Sequence, residues 1–355
     1  MASDPVAILA LALTPGLGPR RIKLLLECFG NARCAWQAGS AALQEVEGIG
    51  PELAQRVGDE RIWEQACQLL ERTRRRGVEV LTIDAPSYPA ALRTIYDPPP
   101  VLYLRGKLNL ERAVAIVGTR SPTPYGQHMA RELARHLAQH GVTVVSGMAR
   151  GIDAQAHIGA LETGTTIAVL GCGVNVAYPI EHWQLAETIA QRGALLSEYP
   201  LSTQPLAGHF PARNRIVAGL SAGVVLVEGG TDSGALITAD LAMSEGRSVM
   251  AVPGPVGPRS AGPHKLLRDG AALVESAEDV LRELGWDDVP AAQAPPPALP
   301  PGEQAVYQAI GRQTPSVDEL VAQCGLEAAE VSQALARLAL KGLVRELPGA
   351  RYGRV

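Results

Sequence analysis

The sequence predicts an α/β fold: a Rossmann-like, doubly wound parallel sheet with an N-terminal helix-hairpin-helix (SAM-like) helical domain and a C-terminal winged-helix domain. Three observations carry this. Short apolar runs rich in β-branched residues alternate with helical patterns from Ala113 to about Leu284, the pattern of parallel strands buried on both faces. Ahead of them, Pro5 to Arg76 reads as helices broken by two glycine hairpins. A Pro- and Ala-rich stretch, 285–302, precedes a tail with renewed helical periodicity, and such a stretch behaves as an extended spacer. The expected domains are 1–77, 78–284 and 303–355, with 285–302 as the linker.

In the first domain, Pro15-Gly16-Leu17-Gly18 and Glu47-Gly48-Ile49-Gly50-Pro51 each precede an amphipathic run. Such hairpins aim backbone N–H groups at a DNA phosphate; they suit a helical bundle turned by glycines equally well. Val78 to Ile83 reads as a short strand, and the segment from Tyr88 to Pro98-Pro99-Pro100 as a connector. The expected strands of the central domain are Val114 to Val117, Val142 to Val145, Thr166 to Leu170, Ala194 to Leu196, Gly223 to Val227 and Ser248 to Val252. In the tail, 303–311, 316–324 and 328–341 read as helices, and Leu343 to Glu346 with Tyr352 as a small wing. The presumed recognition helix offers only Arg337 and Lys341 as cations, so contact with duplex DNA or with a protein is open there.

Composition narrows the classes. With 355 residues and 46% hydrophobic content, the chain can bury at least one large core. Aromatics make up only 4%, so that core is aliphatic and each aromatic is more informative; phenylalanine occurs only at Phe29 and Phe210. A net charge of -4 excludes a coat of positive charge but not a local basic stripe. The cysteines Cys28, Cys34, Cys67, Cys172 and Cys324 form no C-x-x-C pair and read as reduced cytosolic thiols. The N-terminus lacks a basic n-region, and no apolar run approaches the roughly 20 residues of a membrane span. No membrane contact and a cytoplasmic location are expected.

In an open α/β sheet the carboxyl ends of the strands face the ligand crevice, so the loops there hold the candidate residues. Gly118-Thr119-Arg120 follows the first central strand; Gly118 lets the backbone approach a phosphate and Arg120 supplies a fork of donors. G-x-G-x-x-G is absent, which removes the best signature of a dinucleotide site. Ser146 and Gly147 offer further amides, and Asp153 a helix cap. His157 reads as helix packing before catalysis. Gly171-Cys172-Gly173 reads as close backbone packing without an activated thiol. The segment from His209 to Arg215 sets Phe210 beside Arg213, Asn214 and Arg215, the combination for stacking a base and holding its backbone. The competing reading, a core phenylalanine with acid-paired arginines, is disfavoured by the polar His209 and Asn214. Ser233-Gly234 opens a further phosphate cradle, and Lys265 and Arg268 add cations.

Four of these segments together resemble the DNA-processing protein A family, DprA or Smf, across almost the whole chain. They are Ala115-Ile116-Val117-Gly118-Thr119-Arg120, Ser146-Gly147-Met148-Ala149-Arg150-Gly151-Ile152-Asp153, Phe210-Pro211-Ala212-Arg213-Asn214-Arg215 and Ser233-Gly234-Ala235-Leu236-Ile237-Thr238, in family order. The resemblance implies a protein that binds single-stranded DNA entering the cell during natural transformation, shields it from nucleases and helps load the RecA recombinase. It implies no covalent chemistry, and hence no catalytic residue, cofactor or metal. It implies a strand lying in a basic pocket formed by Gly118, Thr119 and Arg120 with the segment Phe210 to Arg215. A homodimer through the Rossmann-like domain is also implied, its surface including the stretch from His264 to Leu273. The approach to Phe210, Leu206-Ala207-Gly208-His209, departs from family members that carry a lysine there.

Two other classes stay in view. A Rossmann-like hydrolase of nucleotide N-glycosidic bonds would use Glu228-Gly229-Gly230-Thr231. That segment superficially resembles the P-G-G-x-G-T-x-x-E phosphate motif of that group, with Glu228 in place of its proline and without its glutamate spacing. A dimeric scaffold would instead bind duplex DNA or a protein through the terminal modules alone.

Overall fold

The computed structural model describes residues 4–287, 299–310, 314–341, 343–347 and 350–354. They fall into two compact units, Met1–Ala292 and Gln293–Val355. Most of the expected 285–302 linker, residues 288–298, lies outside the described residues.

The first unit opens with α1 (Pro5–Leu13), α2 (Pro19–Phe29), α3 (Ala32–Gln37), α4 (Ser40–Gln44), α5 (Pro51–Arg56) and α6 (Glu60–Arg75). The Asp4 carboxylate starts α1 by accepting from the N–H groups of Val6 and Ala7 at 3.1 Å. Ala7 to Leu11 are all buried; α1 is apolar on every side because α3 and α6 enclose it. No helix of the described residues is long and apolar enough to cross a membrane. Both glycine hairpins turn through positive φ, at Gly16 (88°) and Gly48 (79°), where a side chain would be strained. Gly18 and Gly50 then cap α2 and α5. Two arginines fold back onto the first hairpin: Arg21 donates to the Gly16 carbonyl at 2.8 Å and Arg56 to that of Pro15 at 3.1 Å.

The sheet follows: β1 (Glu79–Thr82), β2 (Val101–Gly106), β3 (Ala113–Val117), β4 (Thr143–Ser146), β5 (Thr166–Leu170), β6 (Ala194–Ser197), β7 (Gly223–Leu226), β8 (Ser248–Ala251) and β9 (Ala272–Leu273). Its connections carry α7 (Ala90–Arg93), α8 (Pro124–Gln139), α9 (Ile152–Thr163), α10 (Trp183–Arg192), α11 (His209–Gly219), α12 (Gly234–Ser244), α13 (Ala261–Arg268) and α14 (Ala277–Glu283). The spatial order is β1-β2-β6-β5-β4-β3-β7-β8-β9. From β6 to β9 every pairing is parallel. The six strands expected in the central domain, β3 to β8, all pair in parallel; one edge extends the sheet with β2, which runs antiparallel to both β1 and β6. The strand β2 was not among the expected ones. Its apolar run follows three prolines and is too short for periodicity to separate strand from loop; pairing with β6, from ninety residues downstream, decides it.

Helices cover both faces. In β3, Val114 and Ile116 face the core built with α8, α9 and α14, while Ala113, Ala115 and Val117 face the larger core under α10, α11 and α12. Period-two alternation with both sets buried is what a central strand of a doubly wound sheet requires. The α8–α9 packing depends on Gly159, where a methyl group would overlap the Arg131 carbonyl.

The chain builds outward from β3 through β4, β5 and β6, then returns to β7 on the other side of β3. That reversal opens a crevice at the carboxyl ends of β3 and β7.

The second unit holds α15 (Pro301–Ile310), α16 (Val317–Cys324), α17 (Ala328–Leu340) and an antiparallel pair, β10 (Val344–Leu347) and β11 (Arg351–Arg354). Val306, Ile310, Leu320, Val331, Leu335 and Leu338 form its core. Reciprocal side-chain caps start α16 (Ser316 with Glu319) and α17 (Glu327 with Glu330). The two recognition-helix cations stay exposed but share an acid: Lys341 Nζ lies 2.5 Å from the buried Glu303 carboxylate and Arg337 3.7 Å from it. They neutralise a buried acid, so the helix presents less positive charge than its sequence suggests.

Candidate functional site

A cavity of about 600 Å³ occupies the crevice at the reversal. Gly118, Thr119 and Arg120 come to it from the end of β3, Gly147 from β4, Phe210, Arg213 and Asn214 from α11, and Ser233 and Gly234 from the start of α12. Nine of the sequence candidates thus converge, although they are spread over more than a hundred residues of chain.

Gly118 serves packing: a side chain there would overlap Ile152 and the Glu228 carbonyl. The Thr119 amide is also spent, on that same carbonyl at 2.7 Å. At α12, by contrast, the space around Gly234 is open; Ser233 caps Ala235 N–H at 3.3 Å and Asn214 donates to the Gly234 carbonyl at 3.3 Å.

The arginines divide sharply. Arg213 is only 5% exposed; its Nη1 donates to the Gly147 carbonyl at 2.6 Å and to that of Val169. It therefore ties α11 to the ends of β4 and β5. Gly147 must be glycine because a side chain there would overlap that guanidinium. The Gly147 and Ala149 amides in turn donate to Asp153 at 3.1 and 3.3 Å. Burial pushes the Asp153 carboxyl above its ordinary value and pulls Arg213 below its own, and the mutual attraction of the two charges opposes both shifts. Of this segment only Arg213 is buried, while Pro211 and Ala212 are exposed and His209, Phe210, Asn214 and Arg215 lie between; the burial expected to be awkward is thus confined to one residue, whose Nε and Nη1 find acceptors.

Arg215, Ser146 and Lys265 do not reach the cavity. Arg215 lies two residues beyond Arg213, about 200° around the helix, and pairs with Asp97 at 3.1 Å and Glu198 at 2.7 Å. Ser146 is fully buried and donates to the Ile116 carbonyl at 2.7 Å. Lys265 is exposed on α13 outside the lining.

Arg120 remains. It is exposed and, among the described residues lining the cavity, it is the cation with no hydrogen bond or ion pair. Its guanidinium carbon stands 5.9 Å from the centre of the Phe210 ring. Gly171 lies beneath that ring, and the His209 ring, stacked on Tyr199 at 3.9 Å, is hydrogen-bonded to the Gly171 carbonyl at 3.0 Å. Sequence reasoning did not single out Tyr178, whose ring meets Phe210 at 5.3 Å. Its one sequence signal was a tyrosine in an aromatic-poor chain.

The alternatives lose their chemistry. His157 is fully buried. The Thr166 hydroxyl donates to the Val144 carbonyl, so its oxygen accepts from His157 Nδ1, 2.7 Å away, and Nδ1 is the protonated nitrogen. Burial drives the His157 pKa down to about 3. Burial pushes the Cys172 thiol up to about 11. Glu228 is 3% exposed and accepts from Thr123 N–H at 2.8 Å and its hydroxyl at 2.5 Å. It anchors the loop after β3 and is absent from the cavity lining.

Comparison with known proteins agrees with this architecture. The profile of the DNA recombination-mediator protein A family matches residues 79–285, and that of the DprA winged helix domain residues 290–350. Protein Smf of Synechocystis is 37% identical over 99% of both chains. Among solved structures, DNA processing protein A of Streptococcus pneumoniae is 34% identical, covers 80% of this chain and 99% of its own, and superposes with a TM-score of 0.70. DNA processing protein A of Helicobacter pylori, whose structure describes a single-stranded DNA binding mode, is 34% identical over 59% of this chain and 96% of its own, with a TM-score of 0.54.

Proposed function

The chain belongs to the DNA recombination-mediator protein A family, and from that premise we propose that it binds single-stranded DNA in the cavity at the β3–β7 reversal. The observation that carries the reading is Arg120, a cation without a hydrogen bond or ion pair among the described residues, beside the ring of Phe210, both lining a cavity of about 600 Å³. A phosphate meets the guanidinium while a base stacks on the ring, and stacking contributes about 1–3 kcal/mol per base. Duplex bases are already stacked and face inward, so they cannot reach the ring without unpairing. Among the described residues lining the cavity the one carboxylate is Asp153, committed to the Gly147 and Ala149 amides, which favours a binding groove over a catalytic centre.

The test is an anisotropy titration of a labelled single strand and its matched duplex across salt concentrations. Preference for the single strand, weakening steeply with salt, is the expected result; equal or tighter binding of the duplex would remove the reading.

Protection of incoming single strands during transformation, delivery to RecA and homodimerisation extend this reading. Family membership supports the first two, and the edge of the sheet supports the third. There the short strand β9 ends in Leu273, 50% exposed, an apolar side chain on an open edge suited to cover by a second copy. His264 sits nearby in chain order but is turned to the Gly254 carbonyl at 2.9 Å. The expected mass in light scattering is that of two chains, and filament assembly by RecA on coated single strands should accelerate. A monomer, or no acceleration, would count against the respective extension.

A further inference from the structure

We infer that Tyr178 and Arg150 form a second nucleotide subsite, adjoining Phe210 and Arg120, where a strand leaving the main cavity stacks its next base and seats its next phosphate. The inference rests on the single-strand reading above and adds two residues that reading does not require.

The Tyr178 ring is in contact with Phe210, centroid to centroid 5.3 Å and tilted by 31°, yet Tyr178 is 44% exposed. It continues the aromatic surface of the cavity outward. Three adjoining spaces share Tyr178 as a wall: the main cavity, a narrow space of about 40 Å³ that also touches Arg120 and Arg150, and a groove of about 60 Å³ leading to Trp183. Trp183 is 53% exposed and Ile180 73%, so this short stretch concentrates apolar surface beside a groove, as a contact surface does. Every base has a π-face, and an exposed ring stacks it without sequence preference.

Charge complements the ring. Among the described residues Arg150 is held by Glu181, in an ion pair whose side chains are 64% and 44% exposed. Exposed pairs of this kind contribute little, and a phosphate with its stronger acceptors displaces the carboxylate. Arg105, which lines the same groove, is not available: it is clamped by both oxygens of Glu187 at 2.7 and 2.5 Å.

The test uses end-labelled oligothymidylates of about four and about sixteen nucleotides with wild type, Tyr178→Ala, Tyr178→Trp and Glu181→Gln. Tyr178→Ala is expected to weaken the longer oligomer about tenfold and the shorter one much less, while Tyr178→Trp keeps wild-type affinity. Glu181→Gln releases Arg150, so it should tighten the longer oligomer several-fold and steepen its salt slope by up to about 0.7. Adding Arg150→Ala should abolish that gain. Wild-type affinity of Tyr178→Ala on both lengths, equal losses on both, or no change in Glu181→Gln overturns the second subsite. In those cases the single-strand reading still stands, provided wild type binds and Arg120→Ala weakens it. Failure of wild type to bind either oligomer removes both.

Discussion

Replacing Arg213 by methionine is expected to lower the stability of the first unit by about 3 kcal/mol and to abolish tight single-strand binding without changing the salt dependence of what remains. The substitution keeps the stem but removes the donors for the Gly147 and Val169 carbonyls and takes away the cation whose attraction favours the charged form of the buried Asp153. The two carbonyls lie at the carboxyl ends of β4 and β5, to which Arg213 ties α11, so Phe210, one helical turn before Arg213, loses its fixed position. A residue only 5% exposed releases no counterions, and the slope of log affinity against log salt should therefore hold. Urea denaturation followed by circular dichroism, paired with anisotropy at several salt concentrations, measures both parts. Wild-type stability combined with a shallower slope would show instead that Arg213 reaches the DNA directly.

Arg120→Ala should give the opposite signature. The side chain is exposed and, among the described residues, has no hydrogen bond or ion pair, only the long contact with the Phe210 ring, so its removal is expected to leave stability within about 0.5 kcal/mol of wild type. Affinity for a single strand should fall roughly tenfold, the cost of one charge-assisted contact, and the salt slope should decrease by about 0.7, the contribution of one phosphate. An unchanged slope would move the phosphate contact away from this loop. The two variants are a matched pair. Both weaken binding, but one acts through the scaffold and the other through the ligand, and only the combination of stability and salt slope separates them.

The strands flanking the site were legible because each is a run of β-branched apolar residues between helical patterns, as at Val114 to Val117 and Thr166 to Leu170, and burial on both faces demands that composition. The glycine loops were legible too, although the structure gives Gly118 another reason than the one expected: its missing side chain makes room for Ile152 and Glu228. Less could be read at β2, whose pairing partner lies far along the chain, and at Tyr178. An exposed tyrosine in a loop has no periodicity to mark it; only the fold brings it against Phe210.

By itself, the sequence determined what depends on local order: the positions of most strands, the capped starts of helices such as Asp4 before α1 and Ser316 before α16, the glycine turns, and the assembly of the signature loops at one end of the sheet. The tertiary structure alone decided which arginine is free. Arg120, Arg213 and Arg215 are equal as residue types, and their difference comes from groups contributed by distant segments. The Gly147 and Val169 carbonyls consume Arg213, and the Asp97 and Glu198 carboxylates consume Arg215. A guanidinium acts on a ligand only when its charge is not already compensated, and that compensation is long-range and electrostatic, so it appears only once the chain has folded.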